Sequence, residues 1–208
     1  MVPTEHVQLL AGYGMMDRSI TSADVNGRAR VVAIAQTEPA EALALARNIR
    51  HPWYRCQSLA TVAEHLRKRQ EAIELVEEAF NTAQLQTDTN RIVTVSAWPL
   101  RVIASMDLTL AAEHITTLVH LANTEPHTLR RADALYMLAR AVEDKTALLE
   151  LIVPSLRQAL LTGNGWRIDR LIRKTVDLIR NSMPEQLDAL ISHHSEGRQK
   201  RNLIAGLR

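Results

Sequence analysis

Apolar residues along this chain recur at spacings of three and four, the period of a helix with one buried face. Between Pro39 and Ile49, the residues Leu43, Ala46 and Ile49 share a face, flanked by Ala42 and Leu45. From Pro52 to Leu66 the stripe is Cys56, Leu59, Ala60, Ala63 and Leu66. Ile168, Leu171, Ile172, Thr175 and Ile179 form the cleanest one. Carried along the chain, the pattern predicts helices over 5–16, 22–36, 39–50, 52–67, 69–84, 88–105, 107–123, 126–142, 144–161, 165–181, 183–193 and 197–207.

The residues between these stripes fit that reading. Pro39, Pro52, Pro126 and Pro184 stand where helices begin, the one place where a missing N–H costs nothing. Thr37 and Thr124 precede two of those prolines as candidate caps, and Asp88 and Asp107 stand at two further starts. Gly163-Asn164-Gly165 reads as a helix end followed by a turn. Pro99 and Pro154 fall inside apolar-periodic stretches, where a ring in place of an N–H predicts a kink or a break.

Phrases also repeat. Ala35-Gln-Thr-Glu-Pro39 returns as Ala122-Asn-Thr-Glu-Pro126, and Ala63-Glu-His-Leu66 as Ala112-Glu-His-Ile115. An arginine near a helix start, with an apolar residue four positions on, occurs at Arg55/Leu59, Arg91/Val95, Arg131/Leu135 and Arg167/Leu171. Those arginines are 36, 40 and 36 residues apart, about one helix pair with two turns. The stretches PAEALALARNIRHPWYRCQSLATVAEHL and PHTLRRADALYMLARAV resemble the Ala/Leu-rich helix pairs of the TPR-like and HEAT-like superfamily. Pro99 and Pro154 resemble the prolines that interrupt the first helix of HEAT units. The resemblance covers most of residues 22–181. It implies an all-α fold, a right-handed α-α superhelix of about five to six antiparallel pairs. It also implies an interaction scaffold, and it carries over no catalytic residue. The expected organisation is a single helical-repeat domain over 1–208, clearest at 22–181, with basic C-terminal helices at 182–208.

Composition narrows the class. The chain has 208 residues, 46% of them hydrophobic and 23% charged, so it has the means to bury a core. With 3 Trp, 3 Tyr, 1 Phe and 7 Gly, that core must be Ala, Leu, Ile and Val, and little is left for strands. The net charge of +2 announces neither a nucleic acid nor a membrane, and no segment approaches the ~20 apolar residues of a span. Residues 155–208 nevertheless carry 10 basic and 5 acidic side chains, against 11 and 11 in residues 1–104. A single cysteine precludes an internal disulfide, and the first residues place Glu5 where a signal peptide is basic. The expectation is a cytoplasmic protein.

Candidate chemistry is sparse. His114 and His120 are six apart and do not share a helical face, while His193 and His194 are adjacent and diverge, so no metal ligand set emerges. Cys56 lies on an apolar stripe, where a thiol behaves as a small hydrophobe. Asp24-Val25-Asn26-Gly27 has the start of a calcium loop without its later oxygen ligands or closing Glu, and reads as a turn. Glu71, Glu74, Glu77 and Glu78 beside Arg67, Lys68 and Arg69 read as a solvated face with intrahelical pairing. No catalytic residue, metal or cofactor is expected.

The recurring arginines are the informative feature. A cation in a first turn opposes the helix dipole, so it needs an acid on a neighbouring repeat or an external anion. Trp53 and Trp166 stand within two residues of Arg55 and Arg167, and Trp with Arg is over-represented where partners bind. Trp98, beside Pro99, is assigned to filling a kink. The candidate binding row is therefore Trp53, Arg55, Arg91, Arg131, Trp166 and Arg167, extended by Arg170 and Lys174. The expected function is a non-catalytic scaffold for a protein or peptide. The first alternative is a nucleic-acid binder or DNA-acting enzyme using the basic C-terminal third, opposed by Asp169, Asp177, Glu185 and Asp188 and by the shortage of aromatics. The second is a repeat array from a larger signalling protein. Apolar residues at both ends, Val7, Leu9 and Leu10 and then Leu203, Ile204 and Leu207, predict self-association through terminal helices or a longer natural chain.

Overall fold

The computed structural model describes residues 19–207, and 79% of these are helical, with no strand among them. Eleven α-helices follow one another: α1 Ser22–Ile34, α2 Pro39–Asn48, α3 Pro52–His65, α4 Arg69–Ala83, α5 Thr89–Met106, α6 Leu108–Asn123, α7 Thr128–Ala141, α8 Thr146–Thr162, α9 Trp166–Ile179, α10 Leu187–His193 and α11 Arg198–Ala205. A 3-10 turn, Pro184–Gln186, leads into α10. These bounds lie within about two residues of the stripes read from sequence, apart from that turn at the head of 183–193. The segment 5–16 lies outside the described residues.

Each helix packs on the next in sequence, and the short connections reverse the chain between them. Each odd helix from α1 to α9 also packs on the next odd one, forming one continuous layer. In the other layer α6, α8 and α10 pack in the same way, whereas α2, α4 and α6 are joined mainly by long side chains. Arg47 of α2 makes a bidentate contact with Glu78 of α4 (2.7 Å), and Glu77 of α4 meets His114 of α6 (2.8 Å), whose ring stacks on Phe80 at 3.9 Å. The acidic run expected to be only a solvated face therefore staples three helices, and Lys68–Glu71 is its intrahelical pair.

Between the layers runs one core, from Val31 to Leu203, with Leu59, Leu100, Leu135, Leu149, Ile152 and Ile172 fully buried. Each such side chain contributes roughly 1.5–3 kcal/mol on leaving water. The apolar residues four positions after the recurring arginines, Leu59, Val95, Leu135 and Leu171, are all in it, and all four arginines lie on the odd layer. The repeated phrases are not equivalent in the same way. Ala35–Pro39 joins α1 to α2, but Ala122–Pro126 joins α6 to α7, from the even layer back to the odd. Ala63–Leu66 closes α3, while Ala112–Ile115 lies inside α6. Ala35–Pro39 and Ala122–Pro126 recur because stopping and restarting a helix needs similar residues.

Caps follow local chemistry. Asp88 and Asp107 cap α5 and α6 as expected, each accepting a backbone N–H at 3.0 Å. Thr37 and Thr124 instead turn back, their hydroxyls donating to the carbonyls of Ile34 and Leu121 that end the preceding helices. His51 and His127 cap α3 and α7 through Nδ1, accepting from Trp53 N (3.2 Å) and Arg130 N (3.5 Å). Asp24–Gly27 lies within α1 and is not a turn. Asp24 forms a capping box with Thr21 and also accepts the backbone N–H groups of Arg50 (3.1 Å) and His51 (2.9 Å), tying α1 to the start of α3. Gly163 ends α8 so close to Ile168 that a Cβ would sit 2.7 Å from its Cδ1, and Gly165 starts α9 at φ +89°.

The two internal prolines do not break their helices. Pro154 and Glu150, whose carbonyl loses its helical donor to the ring, are both exposed residues. Pro99 is buried, and the carbonyl it orphans is that of Val95. The thiol of Cys56, on the adjacent α3, donates to that oxygen at 3.7 Å. The one cysteine thus donates to the carbonyl that the proline leaves without its usual helical partner.

Candidate functional site

The odd layer presents a repeating outer stripe. On α5 it reads Arg91, Thr94, Trp98, Arg101; on α7, Arg130, Asp133, Met137, Arg140; on α9, Arg167, Arg170, Lys174, Asp177. Each set is spaced three, four, three, which keeps it on one face of its helix. Trp98, Met137 and Thr94 are half-buried and the others exposed. Seven of the twelve positions are basic and two acidic, so this face is positive on a chain whose net charge is only +2.

One concavity on this face lies between α5 and α7. Ala97, Trp98, Met137 and Ala141 make an apolar floor, Arg101 and Arg140 form the rim, and the volume is ≈ 250 Å³. Two guanidiniums lie over the Trp98 ring, Arg28 of α1 at 5.2 Å and Arg101 at 5.6 Å. Arg101 also pairs with Glu64 of α3 at 2.8 Å, half exposed on both sides, a contact worth under about 1 kcal/mol. Arg140 has no carboxylate within 4.0 Å among the described residues. Beside it Tyr136 is buried, which pushes its phenol up, with Arg140 opposing that shift.

The residues singled out from sequence are placed as follows. Trp166 is 66% exposed, with Arg167 and Arg170 over its ring at 5.3 and 5.5 Å, and Lys174 lies 5.6 Å from the Tyr136 ring. These four form one cluster on α9. Trp53 is half-buried against the core, and Arg55 is half-buried with its Nε enclosed and without a hydrogen-bond partner. Arg91 is exposed and reaches Asp88 at 3.4 Å. Arg131 is half-buried with no ion pair among the described residues. Its neighbour Arg130 shares Asp88 with Arg91 at 2.7 Å and also reaches Glu125 at 3.4 Å. The inter-repeat ion pairs expected of the recurring arginines are thus made by Arg130 and Arg101.

Sequence reasoning did not find Arg28, Trp98, Arg101, Met137 and Arg140 as a site. The spacing of 91/94/98/101 against 130/133/137/140 was present to be read, but anchoring the register on Arg131 hid it. No protein family, curated protein or solved structure matches the chain. Among the described residues, no group of three or more His, Cys, Asp or Glu side chains could hold a metal, and no helix is long and apolar enough to cross a membrane.

Proposed function

We propose that this chain is a non-catalytic helical-repeat scaffold, TPR-like or HEAT-like, that holds an acidic peptide segment of a partner protein against its odd-helix face. The observation carrying this reading is the Trp98 pocket. An apolar floor with an arginine rim is the chemistry that receives an apolar side chain flanked by carboxylates, and Trp and Arg are the residues that most often dominate such contacts. The odd helices pack continuously while α2, α4 and α6 stand further apart, which supports a stack of helix pairs, about five, curved with the odd layer inside. A right-handed superhelix is the sense we assign to it, and the cytoplasm the compartment. Nucleic acid fits less well, because Asp133 and Asp177 interrupt the basic stripe and Trp98 is half-covered, leaving few ring faces for bases. Selection from a random peptide library tests the reading. Enriched sequences should carry an apolar residue among acids, and enrichment should vanish for Trp98→Ala and for Arg101→Gln/Arg140→Gln. A consensus without acids, or one indifferent to both variants, would refute it.

A further inference from the structure

At the other end of the odd layer a second groove, ≈ 350 Å³, lies between α9 and α11. Four cations line it, Arg170, Arg173, Lys174 and Arg180, and Asp177 is the only carboxylate among its lining residues. None of the four cations has a carboxylate within salt-bridge distance among the described residues. Three of them lie against ring systems. Arg170 rests on the Trp166 ring and Lys174 on the Tyr136 ring. Arg173 reaches Nε2 of His194 at 3.0 Å. His194 Nδ1 lies 2.8 Å from the Ser195 carbonyl and 3.9 Å from the Asp169 carboxylate, so Nδ1 faces acceptors and Nε2 faces Arg173. Aromatic faces and an imidazole lone pair fix a cation in place without cancelling its charge.

The groove is therefore built with an uncompensated surplus of positive charge on pre-positioned donors, and we propose that it binds a single phosphate monoester group carried by a small molecule. Two guanidiniums and an ammonium suit a dianionic phosphate with three acceptor oxygens. The side-chain amides of Gln199 and Asn202, on the α11 wall, offer donors to the phosphate oxygens and donors and acceptors to the rest of the ligand. The volume is that of a small-ligand site. A phosphodiester strand fits less well, since the cations lie on one short stretch, 170–180, facing α11. This inference is independent of the Trp98 pocket, and the two can fail separately.

The test is calorimetric titration with inorganic phosphate at constant ionic strength, with sodium chloride as the control. Saturable one-to-one binding is expected. Arg170→Gln/Lys174→Gln should weaken it by at least about tenfold, since each lost charged hydrogen bond is of that order. Arg101→Gln/Arg140→Gln should leave it unchanged. In the wild-type chain, phosphate should shift the side-chain amide signals of Gln199 and Asn202 and leave Asn90 untouched, a readout that needs no variant. Binding no stronger than that of chloride would overturn the proposal, as would binding lost equally in both double variants. So would a single-stranded oligonucleotide that binds this face and is not displaced by phosphate.

Discussion

If Cys56 holds α5 together at Pro99, the two residues must be energetically coupled, and a double-mutant cycle reads that coupling. Cys56→Ala removes the thiol that donates to the Val95 carbonyl, at a site with no solvent exposure. A buried acceptor left unpaired costs about 1–3 kcal/mol, and the low end applies because a thiol is a weak donor. Losing the sulfur from a packed core adds about 1 kcal/mol. Cys56→Ala should therefore destabilise the chain by about 2 kcal/mol. In a Pro99→Ala background the alanine N–H bonds Val95 within the helix, and only the packing loss should remain, so the coupling is about 1 kcal/mol. Urea unfolding of the four chains, followed by helical circular dichroism, measures it, provided the slopes agree. Additivity to within about 0.3 kcal/mol would refute the claim that the thiol replaces the missing amide.

Other expectations concern neighbouring parts of the structure. Asp24→Ala removes the acceptor of two Thr21 contacts and of the Arg50 and His51 amides, and should cost about 3 kcal/mol at neutral pH, seen as a lower urea midpoint. Burial pushes the Asp24 carboxyl up, but its hydrogen bonds from Thr21, His51 and Arg50 outweigh that and hold it below the ordinary range. Its stabilising contribution is thus complete above the unfolded value of about 3.9 and is lost as pH falls through the lower folded value. The midpoint gap between wild type and Asp24→Ala should narrow at acid pH, and a gap that does not change with pH would contradict this assignment. Burial likewise pushes the Cys56 thiol up, so a thiol reagent should label it only at the rate of opening, and immediate labelling of the folded chain would place Cys56 elsewhere.

Helix positions were legible in the sequence because the core is Ala, Leu, Ile and Val at strict helical spacing, and that spacing alone says which face is buried. Caps were legible where Asp made them. They were misread at Thr37 and Thr124, whose hydroxyls serve equally well the carbonyls behind them, and they went unseen at His51 and His127. The candidate site was half legible. Trp166, Arg167, Arg170 and Lys174 come together because they are neighbours on one helix. The Trp98 pocket draws residues from α1, α5 and α7, so finding it required the lateral register of stacked helices. A one-residue choice between Arg130 and Arg131 decides that register, and only the shared contact with Asp88 settles it.

The central claim is that Trp98 is the floor of a peptide site, and a chain whose only tryptophan is Trp98 tests it most directly. Trp53→Phe and Trp166→Phe leave that single reporter, half-buried with Arg28 and Arg101 over its ring. Titration with a peptide bearing one leucine among glutamates should shift its emission to the blue, saturably, with a response that weakens as salt rises because such charges are screened over about 10 Å at 0.1 M. Arg101→Gln/Arg140→Gln should abolish the change. Emission that does not move, or that moves equally with a lysine-flanked peptide, would contradict the account.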